Sequence, residues 1–263
     1  MSAVRIDADA VRWAVAGREA SADAAARALA EGRPLLLLMH GFGSFEGDLI
    51  GLAPRLPLGF VCASPRAPLV APPPIVDGYS WWPLPLGADG LPLPQPEPAE
   101  FVGSGPHTAA LAVLDWLDGL DERILDHGAD DLGSDGTGAG GIGAVALLGF
   151  SQGGCQVTSL LRLRPDRFAC GVNCSGFVAP GRFDGDAELA RIRPPLFWGR
   201  DEADPIIDRE RIESTAEWSP RHTELEARLY PGIAHSIGAD ELDHIAAFLH
   251  RHVPDGAVQR PAA

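Results

Sequence analysis

The chain has 263 residues, 46% of them hydrophobic and 22% charged, a globular composition with no linker in the middle that would divide it into two small domains. A formal charge of −15 and a sequence pI near 4.8 set its surface against phosphate backbones and anionic lipids, so nucleic acid is not an expected partner. All 21 basic residues are arginine, which removes Schiff-base chemistry, a Ser–Lys dyad and a P-loop lysine.

The opening MSAVRIDADAVRW holds no basic segment leading into an apolar stretch of signal length, and no run approaches the ~18 apolar residues of a membrane span. The expectation is a soluble, cytoplasmic protein without stable membrane insertion; its oligomeric state is not legible. Short branched apolar runs alternate with amphipathic stretches, the mark of β-α units that build a mainly parallel, doubly wound α/β sheet in a single domain over 1–253. Strands are predicted at 11–15, 34–40, 59–64, 144–150, 168–176, 195–199 and 225–230, and helices at 20–30, 45–56, 107–120, 152–164, 208–217 and 240–252. In the last of these Leu242, Ile245, Ala246 and Leu249 recur at helical spacing and predict one buried face.

Three segments break the alternation. Residues 65–98 hold 11 of the 24 prolines, and a residue that fixes φ and lacks a donor suits neither a central strand nor an ordinary helix. A long irregular excursion is expected there, and because it carries Tyr79, Trp81 and Trp82 it reads as a binding lid or pocket loop. The stretch 128–143 is glycine-rich and reads as a flexible insertion, and the tail over 254–263 as frayed. Cys62, Cys155, Cys170 and Cys174 show no zinc spacing; in a strand, Cys170 and Cys174 stand roughly 13 Å apart, too far to bridge, so buried reduced thiols are expected.

Chemistry concentrates at Leu147–Gly154, LLGFSQGG. Gly149, Ser151 and Gly153 fit G-x-S-x-G between a buried strand and a helix, a turn so sharp that side chains two residues either side of the serine would collide. The bare pattern arises about 0.2 times by chance in this composition, so its strand–turn–helix context carries the weight. A serine hydroxyl needs a base and the base an orienting acid, in the chain order Ser, Asp, His. Of the histidines after Ser151, His244, His250 and His252 fall on or at the end of the last helix and His222 in a polar turn. His235 follows a strand in the glycine-bearing YPGIAHSIG, over the strands' C-terminal edge. For the acid, Asp204, stiffened by Pro205 and followed by Ile206 and Ile207, is preferred; Asp201 is the alternative, and Asp208 looks like a helix N-cap. The backbone N–H groups of Phe42, in the loop His40-Gly41-Phe42-Gly43, and of Gln152 are the candidate oxyanion hole, with His40 a packed support rather than a second base.

The blocks HGFGSFEGDL, SPRAPLV, GYSWW, GFSQGG, DEADPII and YPGIAHSI together resemble the phospholipase/carboxylesterase family of α/β-hydrolases, which includes acyl-protein thioesterases and small bacterial carboxylesterases. The resemblance runs from about Pro34 to Leu249 and implies an α/β-hydrolase fold, with triad roles for Ser151, Asp204 and His235 and oxyanion roles for Phe42 and Gln152. It also implies an acyl-pocket wall over Arg66 to Trp82. The expected activity is cleavage of a small-molecule carboxylic ester or thioester, with no cofactor and no metal. Lactone or amide hydrolysis on the same residues, and a low-turnover ligand-binding protein on this scaffold, are the alternatives. Cys155 departs from the small residues more usual at its position, the proline-rich excursion is longer, and 128–143 looks inserted, so chain-length preference is open.

Overall fold

The computed structural model describes residues 4–87, 90, 93, 97–131 and 141–254. Two short strands, β1 (Arg12–Val15) and β2 (Arg18–Ala20), form an antiparallel hairpin turned through Ala16 and Gly17, both at positive φ. Helix α1 (Ala22–Ala30) starts where the Ser21 hydroxyl accepts the Ala24 N–H at 3.2 Å. Then come β3 (Leu35–Met39), a 3-10 stretch at Leu49–Arg55, β4 (Val61–Ser64), and two-residue strands β5 (Leu69–Val70) and β6 (Tyr79–Ser80). The second half alternates regularly: α2 (Gly105–Asp131), β7 (Val145–Phe150), α3 (Gln152–Leu163), β8 (Cys170–Cys174) and α4 (Asp186–Ile192). It closes with β9 (Pro195–Arg200), α5 (Arg209–His222), β10 (Glu224–Leu229) and α6 (Ala239–His252).

Eight strands make one sheet in the order β10-β9-β8-β7-β3-β4-β1-β2, parallel from β10 to β4, with β1 and β2 antiparallel at the edge. After β3 the chain first adds β4 on one side and later β7 on the other, so the strand order reverses at β3. The C-terminal ends of β3 and β7 therefore open a crevice at a topological switch point.

The central strands are unbroken apolar runs because both faces are covered. Along β3, Leu35, Leu37 and Met39 pack toward α1, α2 and α3, while Leu36 and Leu38 face the opposite layer with Leu49, Leu242, Ile245 and Phe248. Each fully buried leucine contributes roughly 1.5–3 kcal/mol relative to exposure, so this strand anchors the site from beneath.

Several elements differ from the sequence expectation. The helix expected at 45–56 is the 3-10 stretch Leu49–Arg55, with Pro54 inside it, which removes a donor an α-helix would need. Helix α2 runs well past 120. The hairpin partner β2 and helix α4 have no counterpart in the sequence expectation, being too short for periodicity to register. His222 closes α5 rather than lying in a turn. The 65–98 excursion is not wholly irregular, since β5 and β6 pair within it; residues 88–89, 91–92 and 94–96 lie outside the described residues. The insertion expected over 128–143 overlaps α2 as far as Asp131 and falls outside the described residues over 132–140, as does the tail over 255–263.

Candidate active site

The turn from β7 into α3 holds Ser151 at φ 54 and ψ −114, a left-handed conformation that costs a non-glycine residue on the order of 1–3 kcal/mol. Its neighbours leave no alternative. A Cβ on Gly149 would strike the Gly153 carbonyl, and one on Gly153 would strike the carbonyls of Met39 and His40 at the end of β3. The Ser151 N–H is occupied, donating to the Cys174 carbonyl at 2.9 Å. The side chain stands at the strands' C-terminal edge and is buried to 8% exposure.

His235 lies beside it. Its Nε2 is 2.9 Å from the Ser151 hydroxyl and its Nδ1 is 2.8 Å from the Asp204 Oδ2. An ionised carboxylate only accepts, so Nδ1 carries the proton and donates to Asp204, which leaves the Nε2 lone pair to accept the serine O–H. The Phe150 ring packs against the imidazole, centroids 4.9 Å apart. Asp204 is fixed in turn: Oδ1 accepts the N–H groups of Ile206 at 2.8 Å and Ile207 at 3.1 Å. Its side chain is 1% exposed. Burial drives its carboxyl upward, but the His235 hydrogen bond and the two backbone donors outweigh that and leave it below the usual carboxylate range. Ile207 is buried, whereas Ile206 faces solvent, so only one of that pair anchors the loop.

Asp201, the alternative acid, makes a different set of bonds. Oδ1 accepts from the Ala203 N–H at 3.0 Å, and Oδ2 from Gly232 and Ala234 N–H, both at 2.8 Å. The Ala203 and Ala234 donors chiefly hold its carboxyl low. Asp208 is the N-cap of α5, accepting from the Arg211 N–H at 2.9 Å. The other histidines are engaged elsewhere: His222 stacks on Trp218, and His244 Nδ1 lies 3.0 Å from the Tyr230 hydroxyl.

The loop after β3 lies against the serine, for a Cβ placed on Gly41 would sit 3.5 Å from the Ser151 Cβ. Phe42 follows Gly41 in this loop, and Gln152 opens α3, whose first N–H groups have no partner within the helix. The proline-rich excursion is stitched over this loop: Gly43 donates to Tyr79 O and Tyr79 donates to Ser44 O, both at 2.8 Å. The Gln152 side chain holds it from the other side. Its Oε1 accepts the Trp81 N–H at 2.9 Å, and its Nε2 donates to the Trp82 carbonyl at 3.2 Å. Sequence reasoning assigned Gln152 only its backbone; nothing local announces this second use.

Trp81 and Arg66 each have partners of their own. Trp81 is 1% exposed in the main core, its indole N–H donating to the His40 carbonyl at 2.8 Å, so it braces the loop from below. Arg66 does not present a free guanidinium; Glu46 takes it through two hydrogen bonds at 2.8 and 2.6 Å, and it rests over the Tyr79 ring. Trp82 is half-buried against Phe101, Cys155 and Ala179. His40 is a neutral support: Nδ1 donates to Gly41 O at 2.8 Å, Nε2 accepts the Ala67 N–H at 3.1 Å, and burial lowers its pKa.

Beneath the site lies a group that the sequence reading passed over. Glu241 is fully buried against Gly199, and its Oε2 accepts the Gly238 N–H at 3.3 Å at the start of α6. Burial pushes its carboxyl up to about 7 despite the Gly238 bond and the Cys174 thiol. All four cysteines are free and buried; burial raises Cys62, Cys155 and Cys170 to about 12 and Cys174 well above the ordinary thiol value, which removes their nucleophilicity. Among the described residues no group of three or more His, Cys, Asp or Glu side chains could hold a metal ion, and no helix is long and apolar enough to cross a membrane. A separate recess of about 310 Å³, lined by residues including Arg162, Arg211 and Trp218, involves none of Ser151, Asp204 and His235.

The chain is similar to known proteins in part of its sequence and in its fold. Residues 136–253 match the model of the phospholipase/carboxylesterase family. Among solved structures, a carboxylesterase from Mesorhizobium loti is similar at 19% identity and TM-score 0.61, over 94% of this chain and 99% of that one. SOBER1 of Arabidopsis thaliana aligns at 19% identity and TM-score 0.55, covering 84% and 99%, and the Bacillus cereus carboxylesterase at 17% and 0.58, covering 84% and 89%. No curated protein sequence matches the chain. The architecture is the α/β-hydrolase fold, one domain with a mostly parallel sheet between helical layers.

Proposed function

Since residues 136–253 carry the phospholipase/carboxylesterase pattern, we propose that this chain is a serine hydrolase that cleaves carboxylic esters or thioesters through an acyl-enzyme on Ser151. The observation that carries the reading is the unbroken relay Ser151 Oγ to His235 Nε2 at 2.9 Å and His235 Nδ1 to Asp204 Oδ2 at 2.8 Å, assembled from three separate loops. His235 takes the hydroxyl proton as Ser151 attacks the acyl carbonyl, and Asp204 keeps the imidazole in the tautomer that can do so and balances the imidazolium that forms. Charge developing on the carbonyl oxygen is met by the Phe42 and Gln152 N–H groups, the latter at the positive end of α3. His235 then protonates the leaving alcohol or thiol, and a water activated by the same base releases the acid.

The site stands ready without rearrangement, because Asp204 and Ser151 are each locked by backbone hydrogen bonds. The pairing of Gln152 with Ser80, Trp81 and Trp82 supports a fixed wall rather than a swinging lid beside the oxyanion loop. Ser151→Ala is expected to lower kcat for a short nitrophenyl ester by roughly 10³-fold or more and to abolish labelling by a fluorophosphonate probe. Turnover retained in that variant would end the assignment.

A further inference from the structure

The histidine turn contains a residue in an unfavourable backbone state. Ala234, immediately before His235, sits at φ 53, and Gly232 precedes it at φ 89. Within the turn the Ser236 hydroxyl donates to the Ile233 carbonyl at 2.6 Å, and the Ala234 N–H itself is held from outside by Asp201, on the loop that also carries Asp204.

Asp201 is 3% exposed. A buried carboxylate ordinarily sits against a cation, yet here three backbone N–H groups satisfy it, one from its own loop and two from the histidine turn. Its main chain is pinned as well, since the buried Arg200 guanidinium donates to the Asp201 carbonyl at 2.9 and 2.7 Å. The two loops thus meet at two points: Asp204 grips the imidazole, and Asp201 grips the backbone that aims it. With the first point alone, the turn could pivot about the Asp204 contact and carry Nε2 away from Ser151.

Building on the serine hydrolase reading, we propose that Asp201 is a positioning residue that fixes the left-handed turn at Ala234 and so aims His235 at Ser151. It touches neither the serine nor the imidazole, and its work is geometric. A displacement of about 1 Å in a catalytic group can cost on the order of 10²-fold in rate, so the clamp should register in kcat rather than in substrate affinity.

The test compares the parent with Asp201→Asn, Asp201→Asn/Ala234→Gly and the exposed-neighbour control Glu202→Gln on p-nitrophenyl acetate, well below each Tm. Asparagine is isosteric but turns a donor on one of the N–H groups the carboxylate accepts, so kcat should fall ~10–100-fold with KM within ~3-fold. Adding Ala234→Gly should recover at least ~3-fold, because glycine adopts positive φ without a clamp, a rescue that a purely structural role for Asp201 would not produce. The control should keep the parent kcat. Should Asp201→Asn fail to fold, Asp201→Glu replaces it with the same thresholds, since the added methylene pushes the turn outward while every acceptor remains. A kcat within ~2-fold of the parent, a loss confined to KM, or an equal loss with and without the glycine overturns the proposal. A parent inactive on every ester tried sinks the hydrolase reading instead, which keeps the two failures apart.

Discussion

The nucleophile turn and the histidine turn hold a non-glycine residue at nearly the same positive φ, Ser151 at 54° and Ala234 at 53°, but they enforce it differently. At Ser151 the constraint is short-range: Gly149 and Gly153 let β7 and α3 close against each other and against the end of β3, and the geometry follows from that contact. At Ala234 the constraint is a carboxylate 33 residues earlier in the chain. A turn built from backbone contact tolerates almost no substitution and is recognisable in a short window. A turn built from a distant side chain leaves hardly a local trace and can be loosened one hydrogen bond at a time.

Breaking the histidine side outright should have the largest effect. Asp204→Asn removes the acceptor that selects the imidazole tautomer while keeping the shape of the loop, so kcat is expected to drop about 10⁴-fold with Tm little changed. A variant within tenfold of the parent would show that another group orients His235. Breaking the nucleophile side acts on stability instead. Gly153→Ala drives a methyl into the Met39 and His40 carbonyls, where neither β3 nor α3 can retreat, and should cost about 3 kcal/mol or more in denaturant unfolding. An unchanged midpoint would mean the turn is looser than its packing implies.

The smallest effect sharpens the comparison from outside the two turns, at the buried acid in the first turn of α6. Glu241 has a folded pKa raised to about 7, so between its unfolded value and 7 the native state binds the extra proton and stability falls as pH rises. Above 7 the full cost of a buried carboxylate is present. Glu241→Gln keeps an acceptor for the Gly238 N–H and removes the charge, so the variant should overtake the parent at pH 8 by on the order of 1–3 kcal/mol and match it more closely near pH 5. Melting curves that run parallel across this range would remove Glu241 as the titrating group.

Legibility followed the range of the interaction. Five of the seven predicted strands, those over β3, β4, β7, β8 and β9, are apolar runs because central strands buried on both faces leave a continuous hydrophobic signature, whereas β1 and the edge strand β10 are partly exposed. Strand β2, β5, β6 and helix α4 escaped, since two to seven residues cannot show a period and their pairing partners decide them. At the site, chain order and loop context nominated Ser151, Asp204 and His235, and the structure brings these three into one hydrogen-bonded relay. The proline-rich loop suggests pocket lining for Trp81, and the family resemblance suggests it for Arg66; whether an aromatic or a guanidinium faces a cleft or a partner depends on Gln152, His40 and Glu46, which come from other elements.

By itself, then, the order of residues determined the alternation of strands and helices, the glycine-flanked serine turn, and the short list of candidate side chains, because each depends on neighbours within one element or one turn. Only the tertiary structure decided which groups Asp201 and Asp204 bind, what the Ala234 N–H donates to, and where the guanidinium of Arg66 and the amide of Gln152 are spent. Those outcomes hinge on hydrogen bonds between segments remote in the chain, and a hydrogen bond is defined by distance and direction in space rather than by sequence separation.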